Sequence, residues 1–235
     1  FIGDYEKMKN DFRYEIKFVL NEIALAGFLS WMYKNTNCRE RYPLRTVNSI
    51  YFDDVNFSSV RDNLSGVPER MKTRLRWYQD KNNVLSAPVL EQKLKSGRLG
   101  SKESLKIKGL CNNLNNLNYS QMLSVIKKEV PPSHLSSLEY FIPTLQVSYL
   151  RQYYQDNHGL RITIDQNIQF KGHLSLYHLL ESKAFVPYRS KIVELKFDPT
   201  LKNEVNELLR PLRLTPVRHS KYLTGLAMFS QAQYL

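Results

Sequence analysis

The chain has 235 residues, which is enough for one domain with a substantial buried core, and we expect a single domain over residues 1–235. Hydrophobic residues make up 42% of the chain and aromatic residues 12%, which excludes an intrinsically disordered protein. The formal net charge of +12 indicates an anionic partner, such as nucleic acid, an acidic membrane surface or a phosphorylated small molecule.

Helices are predicted at five places along the chain. Their expected bounds are 21–34, 119–129, 174–182, 200–209 and 220–233. Asp198 and Pro199 form a typical start signal for the fourth helix. The longest apolar stretch, residues 24–33, is too short to span a bilayer, and the charged N-terminal segment is unlike a signal peptide. Because Cys38 and Cys111 match no metal-binding or CxxC spacing, we expect a reducing, cytoplasmic compartment.

The remaining segments alternate between polar and apolar residues, as strands with one face of each kind do. The polar faces, in chain order, hold Arg13, Glu15 and Lys17; Ser49, Tyr51 and Asp53; Lys72, Arg74 and Arg76; Glu91, Lys93 and Lys95; Arg161 and Asp165; and Glu194 and Lys196. A half-buried sheet with a solvated polar face would show the same alternation. However, three like charges along one strand, from Lys72 to Arg76, repel one another unless an anion or carboxylates neutralise them.

We therefore expect an α+β fold built on a closed β-barrel. Closing the sheet would gather the charged faces around one axis and remove the exposed edges. The interior would be charged, and helices would cover the apolar outer faces. Such an interior costs stability and favours ligand binding.

The expected interior contains both signs of charge. Eight cations, Arg13, Lys17, Lys72, Arg74, Arg76, Lys93, Arg161 and Lys196, face four carboxylates, Glu15, Glu91, Asp165 and Glu194, which leaves a surplus of four positive charges. Arg151 and Lys221 are two further candidates. The surplus suits a triphosphate, and carboxylates beside phosphate oxygens suit a hard cation such as Mg²⁺ or Mn²⁺. The pattern is typical of phosphoryl transfer.

Eight short motifs carry a resemblance to a known family. They are RYEIK (13–17), SIYFD (49–53), KTRLRWY (72–78), LEQKLKSG (90–97), SYLR (148–151), RITID (161–165), VELKF (193–197) and HSKY (219–222). Taken in order, from about residue 12 to residue 225, they resemble the VTC domain, the polyphosphate polymerase branch of the triphosphate tunnel metalloenzymes. The resemblance implies an antiparallel β-barrel, or tunnel, of about eight strands. It also implies transfer of the γ-phosphate of ATP onto a polyphosphate chain, with Mn²⁺ or a similar metal.

The resemblance also implies roles for individual residues. Arg74, Arg76, Lys93, Arg151, Arg161 and Lys221 would hold phosphates, joined by Lys17 and Lys72 and, at the tunnel mouth, by Lys102. Glu194 would be the principal metal ligand, with Glu91 and Glu15 assisting. Hydrolytic and cyclase relatives begin with ExExK, whereas Arg13 stands at the first acidic position here, which favours long phosphate chains as substrates.

Two alternatives remain open at this point. A triphosphatase of the same fold would need a base to deprotonate water, whereas a terminal phosphate is already anionic. None of the five histidines lies in the main charged strands, although His219 could lie at the rim. A non-catalytic polyanion-binding domain is the other alternative. Nucleic acid is disfavoured because Tyr14, Phe18, Trp77 and Phe197 have the opposite parity to the charges and are expected to pack outwards.

Overall fold

The computed structural model describes residues 13–80, 82, 84–96, 99–111, 117–132, 138–172 and 185–229. Its strands are β1 (Tyr14–Leu20), β2 (Arg39–Asp53), β3 (Glu69–Gln79), β4 (Val89–Ser96), β5 (Leu99–Lys106), β6 (Ile142–Gln155), β7 (Arg161–Gly172), β8 (Val186–Tyr188) and β9 (Lys191–Phe197). Its helices are α1 (Glu22–Asn35), α2 (Ser58–Ser65), α3 (Tyr119–Glu129), α4 (Lys202–Leu209) and α5 (Lys221–Met228).

The strands form one sheet in the order β1-β9-β7-β6-β2-β3-β4-β5, with β8 paired to β7. All of these pairings are antiparallel, so the predicted α+β class and strand orientation are confirmed. The predicted closed barrel is not confirmed, because within the described residues the edge strands β1 and β5 are not hydrogen-bonded to each other. The sheet nevertheless curls until Lys93 Nζ of β4 lies 3.8 Å from Glu15 Oε2 of β1.

Helices cover the convex face of the sheet in two places. Phe18 and Leu195 are buried under Phe28 of α1, in a cluster that also includes Val205 of α4. Leu75 of β3 is buried in a second cluster, against α3. The alternation of the strands thus places apolar side chains outwards, as the sequence predicts.

Helix α5 packs on the opposite, concave face. Asn167 adopts a positive φ of 49° where the β6–β7 register shifts, so Ile168 and Phe170 share the face of Asp165. Both apolar residues are buried with Leu226 of α5. Helix α5 was expected on the outside with the other helices. The bulge at Asn167 instead creates an apolar patch on the concave face of the sheet, and α5 covers this patch.

The helix predictions are confirmed with small shifts. α3 has the expected bounds, α1 begins one residue later, and α4 follows a 3-10 turn over Pro199–Leu201. α5 begins one residue later than expected and ends at Met228, where Phe229 caps it, short of the predicted end at 233. Residues 230–233 and the predicted helix over 174–182 fall outside the described residues. α2 was not predicted, since its polar sequence has no side-chain N-cap. No described helix combines the length and apolarity that crossing a membrane requires.

Candidate active site

Charged side chains from β1, β3, β4, β5, β6, β7 and β9, and from α5, meet on the concave face. The registers align Lys17 of β1 with Glu194 of β9, and Arg74 of β3 with Glu91 of β4. Because residues at i and i+2 share a face, the other charged residues of each strand lie on the same side of the sheet as these pairs. The structure thus brings together the residues that the alternation selected.

Asp165 lies at the centre of the most buried group of charges. Its side chain is fully inaccessible to solvent and receives a bidentate contact from Arg151, with Nε–Oδ1 at 2.5 Å and Nη2–Oδ2 at 2.7 Å. Lys221 Nζ of α5 lies 2.5 Å from Oδ2. Burial opposes ionisation of Asp165, but the charges of Arg151 and Lys221 outweigh it and hold its pKa below the usual range. We call Arg151, Asp165 and Lys221 the paired cluster.

Glu91 joins β3, β4 and β5 through its carboxylate. Arg74 Nε donates to Oε2 over 2.6 Å, and Lys102 Nζ lies 2.7 Å from Oε1. Arg76 Nη1 is 3.9 Å from Oε2. Burial would raise the pKa of Glu91, but these three cations hold it well below its usual range. Both carboxylate oxygens are therefore already engaged by cations.

Hydroxyl groups fix the two central arginines of β3. Arg74 Nη1 donates to Tyr51 Oη over 3.2 Å, and Arg76 Nη2 donates to Tyr149 Oη over the same distance. Burial would raise the pKa of Tyr51, but mainly Arg74 and Arg76 lower it to about 8. Tyr149 was not singled out from the sequence, although it belongs to the SYLR motif and shares the face of Arg151.

Glu15 and Glu194 lie among three lysines. Lys17 Nζ is 2.6 Å from Glu15, Lys196 Nζ is 2.7 Å from Glu194, and both Lys93 and Lys196 are 3.8 Å from Glu15. Burial and their mutual repulsion oppose ionisation of these carboxyl groups, but the lysines still lower the pKa of each. We call these five residues the open cluster, because the Lys93 and Lys196 side chains are 51% and 42% exposed.

Lys72 and Lys17 face the start of α5. Lys72 Nζ donates to Ser220 Oγ over 3.4 Å, and Lys17 Nζ donates to the backbone carbonyl of His219 over 3.2 Å. Lys72 has no ion pair among the described residues. Burial, followed by repulsion from cations that include Lys17 and Lys93, lowers its pKa to about 8. An anion at this position would relieve that repulsion.

Two predicted phosphate-binding residues lie at the rim. Arg161 is exposed at the first residue of β7, opposite Lys196 in the register. Arg13 is exposed immediately before β1, and its charge acts on Asp198. Both side chains are exposed at the edge of the concave face, where a ligand that extends out of that face would meet them.

His219 was expected at the rim and lies beside the start of α5. Burial and the charges of Lys221 and Lys17 lower its pKa to about 4, so the imidazole is neutral near pH 7. Its Nε2 atom is 3.2 Å from Thr224 Oγ1. His158 is exposed in a turn, and the other three histidines fall outside the described residues.

The geometry offers carboxylates in pairs rather than in larger sets. Within the described residues, no three Asp, Glu, His or Cys side chains gather closely enough to hold a metal by themselves. Glu15 and Glu194 are nevertheless close enough that the charge of Glu194 acts to raise the pKa of Glu15. Mg²⁺ is commonly held by one or two carboxylates together with substrate phosphates.

The chain is similar to known proteins in both family and fold. The VTC domain family matches residues 12–230. No curated protein matches the chain significantly. Among solved structures, a protein from Pyrococcus horikoshii OT3 is 13% identical, with a TM-score of 0.52 over 93% of this chain and 99% of its own.

Two further solved structures share the fold. One is a Hippeastrum protein proposed as an adenylyl cyclase and found to have a dominant triphosphatase activity. It is 16% identical, with a TM-score of 0.55 over 92% of this chain and 96% of its own. The other is a protein from Vibrio parahaemolyticus proposed as an adenylate cyclase, 13% identical, with a TM-score of 0.51 over 91% of this chain and 97% of its own. Identities this low show the fold alone.

Proposed function

Because the chain belongs to the VTC domain family, we propose that it is a metal-dependent phosphotransferase that moves the γ-phosphate of ATP onto a polyphosphate chain. The observation that carries the proposal is the arrangement of Arg74, Arg76 and Arg151 on one wall. Carboxylates and tyrosine hydroxyls hold all three guanidinium groups in place. Preorganised cations of this kind stabilise the charge of a transferring phosphoryl group.

Glu15 and Glu194 fit a hard divalent cation, Mg²⁺ or Mn²⁺. Both are ionised near pH 7, and they lie close together beside partly exposed lysines that can move towards phosphate. Glu91 fits less well, because Arg74 and Lys102 occupy both of its oxygens. When bound, the metal would neutralise negative charge on the phosphate oxygens.

The remaining chain residues would bind and orient the two phosphate substrates. Lys17, Lys72 and Lys93 would neutralise one end of the phosphate chain, and Arg161 and Arg13 would meet it at the rim. The acceptor is the terminal oxygen of a phosphate chain, which needs no general base. This suits a site in which His219, the nearest histidine in the described part of the chain, is neutral and hydrogen-bonded to Thr224.

A triphosphatase is the second candidate, because the Hippeastrum protein of the same fold has a dominant triphosphatase activity. Water would then replace the phosphate acceptor, and Glu15 or Glu194 would orient it. We also place either activity in a reducing, cytoplasmic compartment. Free thiols are typical of proteins there, and Cys38 and Cys111 are both free thiols.

The test is incubation of the purified protein with ATP and Mn²⁺, followed by gel electrophoresis of the products. We expect polyphosphate chains, and we expect Glu194→Gln to lower the turnover rate about a hundredfold, the equivalent of roughly 3 kcal/mol of transition-state stabilisation. Glu207→Gln, at an exposed surface pair with Arg210, is the matched control and should behave like the wild type. Release of inorganic phosphate alone would assign the protein as a triphosphatase instead.

A further inference from the structure

Three tyrosines surround Arg45 at the end of the concave wall that lies away from α5. The Arg45 guanidinium carbon is 4.4 Å from the ring centre of Tyr78, 4.8 Å from that of Tyr153 and 5.0 Å from that of Tyr42. Arg45 lies directly across the strands from Arg151. These four residues, which we call the aromatic mouth, therefore continue the phosphate-binding wall outwards.

One nitrogen atom of the Arg45 side chain lacks a hydrogen-bond partner in the described part of the chain. Its Nε atom is buried and has no hydrogen-bond partner among the described residues, and the same part of the chain gives it no ion pair. Arg151, its cross-strand neighbour, is neutralised by Asp165. An unpaired buried donor beside a second arginine indicates an acceptor that arrives with a ligand.

The tyrosines indicate which part of a ligand arrives. Tyr42 is 46% exposed and stands edge-on to Tyr153, with ring centres 5.6 Å apart. The exposed Arg41 lies over the same ring at 5.7 Å, so a ligand reaches the ring by displacing a solvated side chain. Phosphates cannot stack on a phenol ring, whereas a nucleobase stacks on both a tyrosine and a guanidinium plane.

We propose that the aromatic mouth binds the nucleobase of the nucleoside triphosphate donor, an inference that rests on the proposed function. The base stacks on Tyr42, and Arg45 Nε donates a hydrogen bond to an acceptor atom of its ring. The triphosphate then extends inwards past Arg151 and Arg76. Its terminal phosphate points towards the open cluster, which fixes the direction in which the donor lies.

The inference is tested by calorimetric titration of the full chain with ATP and, separately, with inorganic tripolyphosphate, which has no base. Tyr42→Leu removes the stacking surface at a half-exposed position, so the fold should tolerate it. We expect it to weaken ATP binding about tenfold and to leave tripolyphosphate binding unchanged. Arg45→Lys keeps the charge but loses the planar group, and should show the same selective loss.

Tyr140→Leu is the matched control, because Tyr140 is 73% exposed and lies outside the concave face; it should change neither affinity. Equal weakening for both ligands would overturn the inference and assign the mouth to phosphates. Unchanged ATP binding in both variants would also overturn it. Because the readout is binding, a wild-type protein that makes no polyphosphate would refute the proposed polymerase activity without refuting the base site.

Discussion

The two clusters on the concave wall contain similar residues but differ in how completely their charges are matched. In the paired cluster, the side chains of Asp165, Lys221 and Arg151 are 0%, 11% and 12% exposed, and every contact is short. In the open cluster, Lys17 and Lys196 make short contacts, but the Glu15 and Lys93 side chains are 28% and 51% exposed, and their contact is 3.8 Å. The first arrangement is already complete, whereas the second can exchange internal contacts for those of a ligand.

The pKa directions report the same difference. Burial would lower the pKa of Arg151, but Asp165 raises it well above its usual range. Burial is the main cause that lowers the pKa of Lys93, and Glu15 only partly offsets burial and the repulsion from Lys196 and Lys17. A cation with a lowered pKa gains from a bound anion, so the open cluster has more to gain from phosphate than the paired cluster has.

The largest expected effect comes from breaking the paired cluster. Asp165→Asn leaves Arg151 and Lys221 buried without their counter-charge, and we expect the free energy of unfolding to fall by about 3–5 kcal/mol. Urea denaturation measures this change. Glu15→Gln is the matched variant in the open cluster and should cost about 1 kcal/mol or less, since the Lys93 and Lys196 side chains beside it are half-exposed and can turn to solvent.

Equal losses of stability in these two variants would contradict the distinction between the clusters. The pH dependence offers an independent check. The folded-state pKa of Asp165 lies below its value in the unfolded chain, so its contribution is present above the unfolded pKa of about 4 and is lost as the pH falls through the folded value. Acid unfolding of the wild type should therefore begin below about pH 4, and Asp165→Asn should lose this part of the pH dependence.

A smaller effect is expected from the helix that supplies Lys221. A Cβ atom at Gly225 of α5 would lie 2.5 Å from Leu145 Cδ2 and 2.6 Å from Phe170 Cδ1. Gly225→Ala should therefore lower the free energy of unfolding by about 1–2 kcal/mol, because overpacking outweighs the gain in helix propensity. Thermal denaturation measures the change.

Gly27→Ala in α1 is the matched control. A Cβ at Gly27 meets no atom within 4 Å, so this change should stabilise the protein by up to about 1 kcal/mol. A Gly225→Ala protein as stable as the wild type would show that α5 can shift on the sheet, and that the position of Lys221 is not fixed by packing.

Much of the candidate site follows from strand periodicity alone. Arg74, Glu91 and Glu194 were selected because alternate residues share a face, and the structure brings all three to the concave side. Local sequence could not give the contacts between them. That Glu91 bonds to Lys102, and Glu15 approaches Lys93, depends on strand order and on the curl of the sheet.

Two features depart from the alternation of polar and apolar residues along the strands, and the sequence analysis predicted neither. The bulge at Asn167 reverses the parity of β7, which turns Phe170 inwards and gives α5 its apolar patch. Arg45 shares the face of Ser49 and Tyr51, but the intervening Val47 interrupts the polar alternation, so the charged set was expected to begin only at Ser49. Tyr78 and Tyr153 lie two residues after Arg76 and Arg151, and so on the same strand faces as these charges. A search for tyrosines at such positions would have identified the aromatic mouth.

The smallest expected effect concerns Lys72, which has no carboxylate partner among the described residues. Because burial and neighbouring cations lower its pKa to about 8, its amine is largely charged at pH 7 and largely neutral at pH 9. A neutral amine attracts phosphate less, so the dissociation constant for tripolyphosphate should rise as the pH increases through 8, by about tenfold in total. Lys72→Arg keeps its charge throughout this range and should flatten the profile.

The ligand's own titration is common to both proteins, so the difference between their profiles reports Lys72. Tyr51, whose pKa is also about 8, adds a negative charge over the same interval and acts in the same direction. Tyr51→Phe combined with Lys72→Arg should therefore remove what remains of the protein's contribution. Parallel profiles for the wild type and Lys72→Arg would mean that Lys72 does not meet phosphate, and that the binding surface ends before it reaches α5.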